Sequence, residues 1–213
     1  MANLQKKIDK LNREISSQLP KETLSAFADS ITDLKKEGIE GNCISKGTKI
    51  PRFVLKSTNG TFVSSDDLLA NYDKVIIVFF RGIWCPYCNL ELKALQDSLS
   101  KVEKSNVKLV AVSPQKAEYS SSMKEKNAIT FDILVDENNT FAKQLGISFY
   151  LQEFVVPHYQ QLGIDLKEFN GNDENGLPIP AVYVFDKDYN VTYSFTDVNY
   201  MNRVNIDELI MNL

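Results

Sequence analysis

The stretch RGIWCPYCNL, residues 81–90, holds two cysteines separated by two residues. Pro86 directly follows Cys85, and proline is favoured in the first turn of a helix, where its missing N–H is no loss. Cys85 is therefore predicted at a helix N-terminus, where free backbone N–H groups and the helix dipole stabilise a thiolate and lower its pKa. Cys88 follows on the same helical face, near enough to form a disulfide. This spacing predicts a redox-active dithiol.

An apolar run and an amphipathic helix must hold this dithiol. Residues 74–81, KVIIVFFR, lack polar alternation, as expected for a central strand covered on both faces. A helix is predicted from Cys85 to about Glu103, with an apolar stripe that ends at Val102. A Cys-x-x-Cys pair between such a strand and such a helix favours thiol redox chemistry over a structural role.

Short apolar runs and helical segments alternate along the rest of the chain. The predicted elements are strands at 107–113, 131–136, 181–186 and 191–197, helices near 115–126 and 139–146, and a closing helix that begins at Asn205. This alternation predicts an α/β sandwich with helices on each side of a mixed sheet.

Leu and Ile recur at helical spacing on both sides of Pro20, which predicts an N-terminal helical hairpin over residues 2–38. The hairpin either packs on its own domain or offers a contact to a dimer mate or another partner. We expect residues 1–40 to form a helical extension and residues 41–213 to form the main domain.

The composition excludes several classes of protein. The 213 residues are 43% hydrophobic and 24% charged, which fits one globular domain with a substantial core. A net charge of −4 without a dense basic run gives little reason to bind nucleic acid. No stretch is long and apolar enough for a membrane span, and the charged, helical start lacks the apolar run of a secretory signal, so we expect a cytoplasmic protein.

Two residues outside the dithiol could carry further chemistry. Cys43 is either a spare, half-buried thiol or a resolving cysteine that condenses with an oxidised sulfur. His158 is either a hydrogen-bonded or surface histidine, or a proton shuttle or metal ligand. Because neither stands at zinc-site spacing, no metal and no cofactor are predicted.

From about Gly47 to the C-terminus the chain resembles the peroxiredoxin-like branch of the alkyl hydroperoxide reductase and thiol-specific antioxidant family. The segments that carry the resemblance are KGTKIPRFVLKSTNG, VFFRGIWCPYCNLELKALQ, LVAVSPQ, LVDENNTFAKQLGI and LPIPAVYVFDKDYNV. It implies a thioredoxin-like three-layer α/β sandwich with a central mixed sheet, preceded here by the helical hairpin. It also implies thioredoxin or a glutathione-type thiol as reductant and is compatible with a homodimer.

The chain departs from the family's peroxide-binding motif, Pro-x-x-x-Thr-x-x-Cys with a distant arginine. Aligned on Cys88, the proline position is Arg81 and the threonine position is Cys85, while the arginine position holds Pro180. Ile179-Pro180 resembles the cis-proline loop of thioredoxins and glutaredoxins, and CPYC is the glutaredoxin-type dithiol. These substitutions favour Cys85, as the exposed N-terminal member, as the nucleophile.

The expected catalytic residues are Cys85, Cys88 and Arg81, and the expected substrate-binding residues are Trp84, Pro86, Tyr87, Ile179 and Pro180. Arg81 either lowers the pKa of a neighbouring thiol and holds a peroxide oxygen, or pairs with an acid elsewhere. The stretch DVNYMNR brings Asp197, Tyr200 and Arg203 together, a pattern similar to that of this branch of the family, and solvated surface or contacts between subunits would explain these three residues equally well.

Three functions remain open. The first is a thiol–disulfide oxidoreductase, in which the Cys85 thiolate attacks a protein or small-molecule disulfide and Cys88 resolves the mixed disulfide. The alternative is a thiol peroxidase, in which a hydroperoxide oxidises one cysteine and its neighbour condenses with it. A non-catalytic redox sensor or metal-handling protein is the third.

Overall fold

A computed structural model describes the backbone of residues 2–213 and the side chains from Leu4 onward. Its helices are α1 (Ala2–Gln18), α2 (Lys21–Lys36), α3 (Ile39–Asn42), α4 (Ser65–Asn71), α5 (Pro86–Asp97), α6 (Leu99–Lys104), α7 (Ala117–Asn127), α8 (Thr140–Gln144), α9 (Val156–Gln161), α10 (Leu166–Asn170) and α11 (Ile206–Met211). Its strands are β1 (Val54–Ser57), β2 (Phe62–Ser64), β3 (Lys74–Phe79), β4 (Val107–Ser113), β5 (Asp132–Val135), β6 (Ser148–Tyr150), β7 (Gly176–Pro178), β8 (Ala181–Asp186) and β9 (Val191–Thr196).

The main sheet has the strand order β2-β1-β5-β4-β3-β8-β9. Strand β3 pairs in parallel with β4 and antiparallel with β8, so the sheet is mixed. Strands β6 and β7 form a separate antiparallel pair. The α/β sandwich with a central mixed sheet and N-terminal helices is confirmed. Within the described part of the chain, no helix combines the length and the apolar character needed to cross a membrane.

Burial of strand β3 on both faces explains why apolar and polar residues do not alternate in its sequence. Val75, Ile77 and Phe79 belong to the core on one face of the sheet, while Ile76 and Val78 belong to the core on the other face, and all five are at most 1% exposed. We call the second face the dithiol face, because its core includes both cysteines of the Cys-x-x-Cys pair. Burial on both faces requires apolar residues at every position of the strand.

The two long N-terminal helices pack on opposite faces of the sheet. Ile8 of α1 lies in the core of the dithiol face, and Leu34 of α2 lies in the core of the other face. Hydrogen bonds fix α2 further, since Ser30 donates to Gln152 over 2.7 Å. Packing on its own chain, one of the two alternatives for this segment, is therefore observed, and the division of the chain at residue 40 stays a prediction.

The single helix predicted from residue 85 to about 103 is instead two helices, α5 and α6. They meet at Ser98, which has φ −103° and ψ −1°. The Ser98 N–H bonds to the carbonyl of Leu95 over 3.1 Å, one residue short of α-helical spacing. This tight last turn ends α5 and redirects the chain, while the apolar stripe continues across the break to Val102.

Candidate active site

The dithiol lies at the point where β3 gives way to α5. Cys85 is the N-cap of α5, in extended conformation, with Pro86 in the first turn. Its sulfur accepts the N–H of Cys88 at 3.4 Å and the Cys88 thiol at 2.6 Å. Because the N-cap sulfur takes up an otherwise unpaired helix donor, the backbone stabilises negative charge on Cys85 rather than on Cys88.

Two arginines face the sulfur pair. Arg81 Nη2 lies 3.5 Å from the sulfur of Cys85. Arg203 Nη2 lies 3.4 Å from the sulfur of Cys88 and 3.8 Å from that of Cys85. Both arginines are buried, at 4% and 8% exposure. Their positive charges therefore act on the sulfurs with little screening by water.

The surroundings separate the pKa values of the two thiols. Burial alone would raise the pKa of Cys85, but the hydrogen bond from Cys88 and the charges of Arg81 and Arg203 outweigh it and hold that pKa well below its usual range. Burial and the hydrogen bond that Cys88 donates raise the pKa of Cys88 well above its usual range. The surroundings thus favour the thiolate form of Cys85 and the thiol form of Cys88.

A buried ion pair holds Arg203 in place. Arg203 Nη1 lies 2.8 Å from Glu91 Oε2, and both side chains are at most 1% exposed. The other carboxylate oxygen of Glu91 accepts the N–H of Val204 at 3.3 Å, and Arg203 donates to the carbonyl of Tyr200. Burial raises the pKa of the Glu91 carboxyl, and the charge of Arg203 opposes that rise.

Sequence reasoning missed Glu91 and assigned no role to Arg203. A signal for Glu91 was available, since it stands beside Leu92 on the face of α5 that also carries Cys88 and Leu95. A carboxylate on the buried face of an amphipathic helix requires a cationic partner. Arg203, grouped with solvated or intersubunit residues from its sequence, lies instead in the core of its own chain. The separation of the partners by more than a hundred residues concealed the pair.

Arg81 is held by aromatic residues. Its Nη1 donates to the hydroxyl of Tyr159 at 3.0 Å, and the guanidinium lies 4.1 Å from the ring centroid of Tyr200 and 5.2 Å from that of Trp84. Among the described residues the hydrogen-bond partners of Arg81 are Tyr159 and Cys85. The structure therefore contradicts the alternative in which Arg81 pairs with an acidic residue. Burial raises the pKa of Tyr159, which keeps this phenol neutral.

The loop between β3 and Cys85 is fixed by side chains from α5 and from the end of β4. The buried Gln115 accepts the N–H of Ile83 at 2.8 Å, and Asn89 donates to the carbonyl of Ile83 at 2.8 Å. At Gly82 an added Cβ would lie 2.4 Å from the indole nitrogen of Trp84. The indole therefore occupies the space that the missing side chain leaves, which ties the position of Trp84 to glycine at 82.

Both cysteines of the dithiol are 0% exposed, so the prediction of an exposed Cys85 is wrong. Helix α1 packs along α5, and its Asn12 accepts the hydroxyl of Tyr87 at 2.6 Å. Tyr87 in turn packs edge-on against Tyr200. Burial raises the pKa of Tyr87 to about 12. These side chains close the dithiol face over the sulfurs, whereas sequence reasoning assumed an open helix end.

The predicted substrate-binding residues divide into two groups. Trp84, Pro86 and Tyr87 surround the dithiol. Ile179 and Pro180 instead line a cavity of about 10 Å³ beside Arg81, enough for about one water molecule. The described residues contain no cis peptide bond, so the resemblance to a cis-proline loop fails at this position. The Ile179 N–H donates to the carbonyl of Ile147, and the Pro180 carbonyl accepts the N–H of Asp197. Both hydrogen bonds are made with the peptide bond before Pro180 in the trans form, which is the lower in energy.

Cys43 and His158 lie away from the dithiol. Cys43 packs against the core on the opposite face of the sheet, and its thiol donates to the carbonyl of Gly146 at 3.4 Å. Burial raises its pKa to about 11. His158 is hydrogen-bonded to Thr23 of α2 at 3.0 Å. The half-buried thiol and the hydrogen-bonded histidine are the alternatives that this geometry supports.

A dithiol at a helix N-terminus, mounted at the end of a central strand in a mixed sheet, defines the class: this is a thiol-based oxidoreductase with a thioredoxin-like fold. The chain belongs to the AhpC/TSA family, which it matches over residues 46–194, well over half of its length.

Several known proteins are similar to this chain. A putative peroxiredoxin bcp of Coxiella burnetii is 32% identical over 104 residues, which cover 49% of this chain and 68% of that protein. Peroxiredoxin Bcp of Escherichia coli K12 is 26% identical over 106 residues, which cover 50% and 67%. The crystal structure of peroxidoxin BcpB from Mycobacterium tuberculosis has a TM-score of 0.61 at 17% identity and covers 79% of this chain and 96% of that one. At that identity the structural match speaks for the fold alone.

Proposed function

We propose that this protein is a thiol peroxidase that reduces hydroperoxides, with Cys85 as the oxidised cysteine and Cys88 as its resolving partner. The observation that carries the proposal is the Cys85 sulfur, fully buried yet within 4 Å of two guanidinium groups. Relatives that are named peroxiredoxins support the same choice over disulfide exchange.

Burial of the sulfur weighs against a protein disulfide as the substrate. Thiol–disulfide exchange needs three sulfurs in line, so the attacking sulfur must meet an extended substrate surface. Cys85 lies beneath Tyr87 and α1, where a protein disulfide has no approach. A hydroperoxide presents only two oxygen atoms at its reacting end and needs little space.

The first step is oxidation of the Cys85 thiolate. The sulfur attacks the terminal oxygen of the hydroperoxide, the S–O bond forms and the O–O bond breaks. The departing oxygen takes up a proton and leaves as an alcohol, or as water from hydrogen peroxide. Cys85 becomes a sulfenic acid.

Arg81 and Arg203 are the groups placed to stabilise the charge that develops on the departing oxygen. Both guanidiniums are fixed before the reaction, Arg81 by Tyr159 and Arg203 by Glu91. Fixed donors in a site closed to water need no reorganisation during the reaction, and removal of one such donor typically costs about a hundredfold to a thousandfold in rate. In this chain Pro180 stands where the family has its distant arginine, and Arg81 supplies the positive charge in place of that arginine.

The second step is resolution. The Cys88 sulfur attacks the Cys85 sulfenic acid, the S–S bond forms, and the hydroxyl leaves as water with the proton of the Cys88 thiol. The sulfurs are 2.6 Å apart before the reaction, so formation of the disulfide requires only a small approach of the two side chains. A thiol reductant of the thioredoxin or glutathione type then restores the dithiol, and assembly as a homodimer stays a prediction.

The test compares the two oxidants on the same reduced protein. The fluorescence of Trp84, the single tryptophan, should report oxidation of the adjacent cysteine. In stopped-flow experiments hydrogen peroxide should oxidise the protein on the order of a thousandfold faster than it oxidises free cysteine. A peroxide reaction no faster than that of free cysteine, beside rapid oxidation by a protein disulfide, would establish disulfide exchange instead.

A further inference from the structure

A groove of 400 Å³ lies between α1 and the loop that carries the dithiol. Its lining includes Lys7 and Lys10 of α1, Lys126 of α7, and Trp84 and Pro86 of the loop. We call it the lysine groove. Its volume lies within the range of small-molecule sites and suits a ligand of tripeptide size.

The lysine groove is positively charged, although the chain carries a net charge of −4. Glu14, the carboxylate in its lining, lies 3.6 Å from Lys10. Across the described residues, neither Lys7 nor Lys126 forms an ion pair. The groove therefore presents two uncompensated ammonium groups and favours a ligand with carboxylates.

The groove borders the dithiol directly. Trp84 and Pro86, the neighbours of Cys85 in the chain, belong to its lining. The Trp84 ring also contacts Tyr159 and lies 5.2 Å from the guanidinium of Arg81. The Trp84 indole N–H is buried without a hydrogen-bond partner among the described residues, so movement of the ring toward solvent would satisfy that donor. Trp84 thus lies both in the lining of the groove and against the core that contains the reacting sulfur.

We propose that the lysine groove binds the reductant and that this reductant is a small thiol with carboxylate groups, of the size and charge of glutathione, rather than a protein. The proposal rests on the proposed function, because it concerns the disulfide formed there. A protein reductant would need an interface of about 1,000 Å² around an accessible sulfur. The sulfurs here are covered, and the open space beside the dithiol segment is the lysine groove.

The chemistry proceeds in two exchanges. The thiolate of the small thiol attacks the sulfur of Cys85, a mixed disulfide forms, and the Cys85–Cys88 bond breaks. Cys88 leaves as a thiolate, which Arg203 at 3.4 Å stabilises until it takes up a proton. A second molecule of the thiol attacks the mixed disulfide, releases Cys85 as its thiolate and leaves as the oxidised dimer of the small thiol.

The test measures reduction of the Cys85–Cys88 disulfide in the full chain, followed by Trp84 fluorescence. The disulfide is formed with diamide, so the experiment does not depend on the peroxide reaction. Glutathione, with two carboxylates and one ammonium, is compared with uncharged 2-mercaptoethanol. The test variant is Lys7→Glu with Lys126→Glu, and the control is Lys21→Glu with Lys104→Glu, which changes the net charge equally at exposed positions outside the groove.

We expect the test variant to lose about tenfold in the rate with glutathione and less than about twofold with 2-mercaptoethanol. The control variant should be reduced at the wild-type rate by both thiols. Added salt should slow reduction of the wild type by glutathione but not by 2-mercaptoethanol. Equal losses with both thiols, no loss with glutathione, or reduction by thioredoxin that outpaces glutathione at equal concentration would each overturn the proposal. If hydrogen peroxide fails to oxidise the reduced protein, the proposed peroxidase activity is refuted. The result on reduction of the disulfide by glutathione is unaffected.

Discussion

The buried ion pair between Glu91 and Arg203 allows a quantitative test of the site's electrostatics. Glu91→Gln keeps the shape of the side chain and an oxygen for the Val204 N–H, but removes the charge that compensates Arg203. Removal of one partner from a buried ion pair costs about 3–5 kcal/mol, because the remaining charge stays buried without its partner. In the reduced protein the Cys85 thiolate still faces Arg203, so we expect a loss near 3 kcal/mol in the free energy of unfolding. In the disulfide form that thiolate is absent, and the loss should approach about 5 kcal/mol.

Urea denaturation followed by circular dichroism measures this loss without relying on Trp84, whose signal responds to local change. The matched control is Asp97→Asn in the same helix. Asp97 and Lys93 are 2.7 Å apart, but their side chains are 50% and 42% exposed. An exposed pair of this kind contributes less than about 1 kcal/mol. In the double variant Glu91→Gln with Arg203→Met, most of the stability should return, since no unpaired charge remains. If Glu91→Gln costs no more than Asp97→Asn in either redox state, the buried pair does not hold the site.

Three further results follow from other contacts. The pKa of Cys85 lies below the value of about 8.5 expected in the unfolded chain, so its ionisation stabilises the reduced protein. This stabilisation is complete above about pH 8.5 and decreases as the pH falls toward the folded pKa. The stability advantage of the reduced wild type over Cys85→Ser, measured by urea denaturation, should therefore shrink in acid. Tyr87→Phe should cost about 1 kcal/mol by the same assay, with Asn12→Ala similar, because each removes the hydrogen bond between α1 and α5; a cost for only one of them would contradict this. Gly82→Ala should displace the Trp84 indole, shift its emission to longer wavelength and cost about 1–3 kcal/mol, whereas an unchanged spectrum would contradict the close approach.

The local features of the fold could be predicted from the sequence. The predicted strands at 107–113 and 181–186 agree with β4 and β8 at both ends, because predominantly apolar runs mark central strands. The N-cap position of Cys85 followed from the proline after it. Several short elements, among them β1, β2 and α9, passed unnoticed, since hydrophobic periodicity needs a longer window than they offer.

Features that depend on contacts distant in sequence could not be predicted. Arg203 reaches the dithiol only because the chain after β9 returns over α5, and nothing near it in the sequence marks a buried arginine. The closure of the site by Asn12 and Tyr87 depends likewise on α1, since Asn12 lies more than seventy residues before the dithiol. The expected cis-proline loop was inferred from resemblance at two residues, and the peptide bond before Pro180 is instead trans.

The measurement that tests the central claim most directly is the site and rate of peroxide oxidation in the Cys88→Ser protein. Serine retains a hydroxyl donor toward the Cys85 sulfur but cannot resolve a sulfenic acid, so the first oxidation product accumulates and can be trapped with dimedone for peptide mapping. We predict the adduct on Cys85, formed at close to the wild-type rate, and no comparable adduct on Cys88 in the Cys85→Ser protein. The account is contradicted if peroxide reactivity survives at the wild-type rate in Cys85→Ser and is lost in Cys88→Ser. The nucleophile would then be Cys88, the cysteine that aligns with the family's motif.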